Sequence, residues 1–195
     1  MKLLLALFIT GMIASSCKEA QPHFLEINGD KIISNHALKF ELQKPNGFRI
    51  AEPVTHYPTF NEHPFKVSLG GFIADSEAVL VHAEEVLDKA GTLDYPSLPR
   101  DTLSNIEFGI RFMCAELTEE EIQEEHDILY LKKHGFTLQP GVFLIQFLKN
   151  TDDMNMEYIL SYATTVPSCS VEADTDFKES VRKRVQSIVE LKKLN

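Results

Sequence analysis

Val142-Phe143-Leu144-Ile145-Gln146-Phe147-Leu148, Thr151-Asp152-Asp153 and Met156-Glu157-Tyr158-Ile159-Leu160-Ser161-Tyr162-Ala163-Thr164-Thr165-Val166 read as strand, turn and strand. The first run is apolar except at Gln146 and is too short for a typical helix. This is the pattern of a strand covered on both faces. Thr-Asp-Asp is turn chemistry, and the second run is rich in β-branched and aromatic residues. Two such runs across a short polar link predict a β-hairpin at the centre of an antiparallel sheet.

Just upstream, Ile106, Phe108, Ile110, Phe112 and Cys114 alternate with Glu107, Gly109, Arg111 and Met113. That is a one-sided strand with Cys114 on its core side. Between this strand and the hairpin, Thr118 and Glu121 form a capping box, and Lys132, Lys133, His134 and Gly135 close the far end. The spacing therefore predicts a helix over 119–134. Downstream, Asp176 with Glu179 caps a C-terminal helix whose stripe is Phe177, Val181, Val185 and Ile188.

The first third of the chain is built of shorter signals. Asn28-Gly29-Asp30 between apolar segments predicts a hairpin over 24–33, and Leu38, Phe40 and Leu42 alternate as a strand over 36–42. Pro45-Asn46-Gly47 turns the chain, and extended structure resumes at Phe48–Ile50. Pro53, Pro58 and Pro64 make 52–64 a loop. Phe65, Val67 and Leu69 then form a strand running into Gly70-Gly71, where a bulge or a close backbone approach is expected. Residues 78–87 fit a strand, favoured by Val79-Leu80-Val81, or a helix capped by Ser76; 92–103 reads as a loop. These elements give an α+β fold, an antiparallel sheet with a mid-chain helix and a C-terminal helix packed on it. Residues 24–195 form one domain.

The N-terminus carries an address. Met1-Lys2, the apolar run Leu3–Ile13 and Ala14-Ser15-Ser16-Cys17 have the three parts of a secretory signal, and the run is too short to span a bilayer. The stretch resembles the lipobox signal of bacterial lipoproteins, with Ala14 standing where that family usually has Leu. The resemblance implies a signal peptide over 1–16, removal of that peptide, and lipidation of Cys17. A plain secreted chain cut near Ser16 is the alternative. Residues 17–23 would then be the lipidated Cys and its polar tether, with the membrane held through acyl chains. The implied location is the cell envelope of a bacterium, with the domain in the periplasm or at the cell surface.

The formal charge is −10 over 195 residues, which argues against nucleic acid as a partner. Cys114 and Cys169 remain as an even pair in an oxidising compartment, and a disulfide between them is expected, two buried thiols being the alternative. His56 and His63 share one loop with Glu62, residue types that bind Zn²⁺, although no third ligand is fixed by spacing; local capping is the competing reading. His82 with Glu84, and His126 beside Glu125 and Asp127, are each an acid/base pair or a local ion pair. Asp153, Asn155 and Glu157 echo a calcium loop, but Tyr158 stands where such loops need Gly. P-loop, Gly-x-Gly-x-x-Gly and Gly-x-Ser-x-Gly motifs are absent, so no cofactor and no catalytic residue is expected.

The order of early strands, mid-chain helix, hairpin ending Tyr158-Ile159-Leu160-Ser161-Tyr162 and last helix with Val185-Gln186-Ser187-Ile188 resembles the PsbP-like α/β/α sandwich. That resemblance implies a non-enzymatic accessory role and no site residues. The sequence thus points to a membrane-anchored, non-catalytic binding or assembly domain with an unknown protein or small-molecule ligand. The alternative is a small metal-dependent hydrolase using His56, Glu62 and His63.

Overall fold

The computed structural model describes residues 23–194 except Asp94 and Pro96. The expected signal peptide over 1–16, the expected lipidation site Cys17 and the expected tether through Pro22 lie outside the described residues. The strands are β1 (Leu25–Asn28), β2 (Lys31–Ser34), β3 (Phe40–Gln43), β4 (Arg49–His56), β5 (Thr59–Phe60), β6 (His63–Ile73), β7 (Glu77–Val86), β8 (Arg100–Leu103), β9 (Ile106–Glu116), β10 (Gly141–Asn150), β11 (Met156–Val166) and β12 (Glu190–Lys193). The helices are α1 (Glu119–Glu124), α2 (His126–Lys133) and α3 (Thr175–Ile188).

The expected hairpin lies at the centre. β10 and β11 pair from Gly141 with Val166 to Asn150 with Glu157, and the larger sheet runs β4-β6-β7-β11-β10-β9-β8, with β5 paired to β6. A second sheet, β1-β2-β3-β12, is also antiparallel. Alternation sorts the central strands into two faces. On one face Val79, Val81, Phe143, Phe147, Tyr158 and Leu160 pack against Val181 and Val185 of α3 and Ile32, Leu42 and Leu191 of the smaller sheet. On the other, Ala78, Leu80, Val142 and Ala163 pack against Tyr130 and Leu131 of α2. The chain is therefore α+β, chiefly antiparallel sheet, with the C-terminal helix against one face of the larger sheet and α2 against the other. Among the described residues no helix is long and apolar enough to cross a membrane.

Several local expectations change. The single helix over 119–134 is two, because Glu125 is extended (φ −71°, ψ 123°). The break lets Asp127 lie in the first turn of α2, where it reaches a side chain of β7. α3 is capped by Asp174, not Asp176: its carboxylate accepts from the Asp176 and Phe177 N–H groups at 2.9 and 3.0 Å. The loop expected over 52–64 is mostly strand. Pro53 is accommodated because β4 is an edge strand whose register shifts between Ala51 and Val54, so its missing N–H costs no regular ladder bond.

The strand expected over 36–42 starts only at Phe40. His36 turns inward, where its Nε2 meets the Glu157 carbonyl at 2.9 Å and its Nδ1 meets Ser34 Oγ at 3.0 Å. Residues 78–87 are strand up to Val86, and 100–103, expected as loop, form an edge strand. β12 carries little β-propensity; it forms because Leu191 docks in the core beside β3. Gly71 is a close approach, since a Cβ there would stand 2.5 Å from the Val79 carbonyl.

Cys114 and Cys169 are disulfide-bonded with Cα atoms 5.5 Å apart, inside the range that geometry requires. The bond fastens the 3-10 turn Cys169–Ala173, which leads into α3, to β9.

Candidate functional site

On the α2 face, the apolar pattern of four strands breaks at neighbouring positions. β7 reads Ala78, Leu80 and then His82, Glu84; β11 has Ser161 and Glu157, β10 has Gln146, and β9 has Arg111. Register sets these side by side: Glu157 opposite Glu84, Ser161 opposite Gln146, Gln146 opposite Arg111. The result is a polar floor in an otherwise hydrophobic sheet. Above it lies a cavity of about 310 Å³. Its rim includes Asp127 from α2, Phe60 from the tip of β5, and Leu93 and Tyr95 from the loop after β7. That loop is tied down by Gly91 N–H donating to Asn155 Oδ1 at 2.9 Å and Leu93 N–H donating to the Met154 carbonyl at 3.2 Å.

The polar groups are only partly satisfied. His82 Nε2 pairs with Asp127 Oδ2 at 3.0 Å, while its buried Nδ1 has no hydrogen-bond partner. Tyr95 OH donates to Glu157 Oε2 at 3.3 Å, and the buried Glu157 Oε1 has no partner. Arg111 Nε donates to Gln146 Oε1 at 2.6 Å, and Gln146 Nε2 donates to Ser161 Oγ at 2.9 Å, a chain that orients the guanidinium. A buried polar atom without a partner costs on the order of 1–3 kcal/mol. Such atoms are uncommon in native folds, and two belong to residues that line this one cavity.

Charge is tuned by the same burial. Desolvation, reinforced by the Glu84 carboxylate opposite, pushes Glu157 up to about 8. Burial also raises Glu84, although His82 and Arg111 work against it. For His82, burial opposes protonation, yet Asp127, Glu84 and Glu157 outweigh it and raise the imidazole to about 9. Burial opposes ionisation of Asp127, but the His82 charge holds it below its ordinary value. At neutral pH the cavity thus holds an imidazolium–carboxylate pair, a guanidinium and a carboxyl pair that retains a proton.

The histidines named from the sequence fall in separate places. His63 Nδ1 meets Asp88 Oδ2 at 2.7 Å, His56 stacks on His126 with ring centroids 4.4 Å apart, and Glu62 takes a left-handed turn conformation (φ 70°). The structure does not gather His56, Glu62 and His63 into one ligand set. Among the described residues no three His, Cys, Asp or Glu side chains could hold a metal ion. Of the two acid/base pairs, the structure joins one half of each: His82 bonds Asp127. Asp153 and Asn155 serve the hairpin turn, and only Glu157 of that trio faces the cavity. Arg111, Gln146 and Tyr95 complete the site, and no catalytic or binding motif marks them in the sequence. Their sequence signal is the polar interruption at Gln146 and the Arg in an alternating strand.

A wider depression of about 470 Å³ lies between the smaller sheet and the Ser104-Asn105 turn. Its Lys31 and Glu41 are already paired at 2.7 Å, so it lacks the unpaired buried groups of the α2-face cavity. No family model, curated protein or solved structure matches the chain.

Proposed function

We propose that this chain is an envelope lipoprotein whose folded domain binds a small polar molecule in the cavity on the α2 face of the larger sheet. The observation that carries the binding reading is the convergence of His82, Glu84, Arg111 and Glu157 on one cavity, with His82 Nδ1 and Glu157 Oε1 buried beneath it without internal partners. Its volume, about 310 Å³, is at the small end of ligand pockets, and its lining is more polar than the usual apolar pocket, which suits a polar ligand. A screen of sugars, amines, carboxylates and amino acids by thermal shift tests it. A stabilising ligand whose effect disappears in Glu157→Gln supports the site; ligands insensitive to that substitution refute it.

The anchor rests on the residues before the domain, Leu3–Ile13 followed by Ala14-Ser15-Ser16-Cys17. The Cys114–Cys169 bond is in keeping with export to an oxidising compartment. Cys17→Ser is expected to move the protein into the soluble fraction and abolish acyl labelling; membrane retention of that variant would sink the anchor. As a finer reading of the fold, the helices on the two faces of an antiparallel sheet favour a PsbP-like accessory domain, and with it binding over catalysis.

A further inference from the structure

We infer that the cavity takes a free α-amino acid with an apolar side chain, its carboxylate on Arg111 and its ammonium on Glu157 and Glu84. This rests on the reading of the cavity as a ligand site.

The inference comes from two opposite poles that face one another without touching. Arg111, on β9, lies close enough for its charge to act on both Glu84 and Glu157. Among the described residues, however, no carboxylate oxygen pairs with its guanidinium within 4.0 Å, and its one hydrogen bond is through Nε to Gln146. The two terminal nitrogens of the fork are therefore unused, and a fork held from behind suits a carboxylate taken by two parallel bonds. Glu157 lies two strands away, about 10 Å in the hydrogen-bonding direction, and four residues, about 13 Å, further along β11 than the Ser161 in register with Arg111, so the poles approach only through their side chains, and one Glu157 oxygen is unpartnered. Among the described residues the Glu84 carboxyl makes no hydrogen bond, and Glu84 faces Glu157 across the β7–β11 pair.

A simple anion would satisfy the guanidinium and be repelled by the carboxyl pair. An organic cation would do the reverse. A neutral polyol would leave the fork without its matching charge. Only a dipolar ligand satisfies both poles, and an α-amino acid carries them on adjacent carbons. The third substituent meets Phe65, Leu93 and Ile159, with Phe60 edge-on to Phe65 at 5.2 Å at the mouth. That wall selects an apolar side chain.

The carboxyl pair adds a signature. Glu157 retains its proton at neutral pH until a cation replaces it. When an ammonium docks, the O–H bond of the Glu157 carboxyl breaks, the carboxylate accepts from the ammonium, and the proton passes to buffer. Glu84, Tyr95, Arg111 and the His82–Asp127 pair are the charged and titratable groups around it.

The test is titration calorimetry on the full-length chain in mild detergent with L-leucine, in two buffers of different ionisation enthalpy. Isoamylamine and 4-methylpentanoate, which are leucine without its carboxylate and without its ammonium, and D-glucose serve as comparators. Leucine is expected to bind with proton release, and each comparator at least about tenfold more weakly. Glu157→Gln and Arg111→Met should each lose tenfold or more. Arg111→Lys, which keeps the charge without the fork, guards against misfolding, with circular dichroism and urea unfolding as controls. Tighter or equal binding of the amine, the acid or glucose would overturn the amino-acid assignment and leave the cavity as a ligand site. Leucine binding untouched by both Arg111→Met and Glu157→Gln would overturn it as well. No response to these four probes overturns the assignment, and no stabilising ligand in the wider screen retires the site itself.

Discussion

Glu157 is 1% exposed and sits opposite Glu84 on the neighbouring strand, so folding favours its neutral form. Its carboxyl is raised from 4.5 to about 8, and the sign of the pH dependence follows. Below pH 4.5 both folded and unfolded chains hold the proton, and the stabilisation is fully present. Between 4.5 and about 8 only the folded chain holds it, and stability falls on the order of 1 kcal/mol per pH unit. His82, raised from 6.5 to about 9, loses its contribution in the same direction over that higher window. The wild-type urea midpoint is thus expected to drop most steeply between pH 6.5 and 8. Glu157→Gln, which cannot ionise, should be flatter from pH 5 to 8. Parallel pH profiles for the two proteins would show that Glu157 is ionised in the fold.

Among the described glycines, Gly71 on β6 lies closest to its neighbouring strand, β7. A Cβ on Gly71 would meet the Val79 carbonyl at 2.5 Å and Leu80 Cδ2 at 2.9 Å, whereas one on Gly70 would meet only the Leu25 and Pro53 side chains at 3.3 and 3.4 Å. Gly71→Ala should therefore cost roughly 1–3 kcal/mol and Gly70→Ala distinctly less, as read by chemical unfolding; equal costs would refute the backbone clash. The Gly-Gly signal was legible because glycine marks close approach wherever the strands lie. So were the β10–β11 hairpin and the stripe of α3, whose patterns describe surfaces those elements bury themselves. The candidate site was not, because it is assembled across strands. His82 and Glu84 share a face by simple alternation, but their proximity to Glu157, Gln146 and Arg111 depends on the register of β7, β11, β10 and β9. Asp127 reaches His82 only because Glu125 interrupts the helix, against capping signals at both ends. Pro53 concealed a strand for a similar reason: edge position and register shift are properties of the sheet.

For the molecule as a whole, the Cys114–Cys169 bond is the largest single constraint on the unfolded chain. It spans a sequence separation of 55 residues, for which the chain-entropy model gives about 4 kcal/mol. The Cys114→Ala/Cys169→Ala double variant should lose stability on that order, and an unchanged urea midpoint would show that the bond contributes nothing. The same bond also turns the chain, as a covalent graph, into a ring with two tails. Asp127, Gln146 and Glu157 sit on the ring, while His82, Glu84 and Arg111 sit on the leading tail. The exposed joint between α1 and α2, Glu124 to His126, lies within the ring. A protease that cuts there opens the loop without dividing the molecule: the nicked protein keeps both halves of its cavity and gains only the mass of a water. It separates into two fragments only when a reductant is added and the sheet that joins them is unfolded.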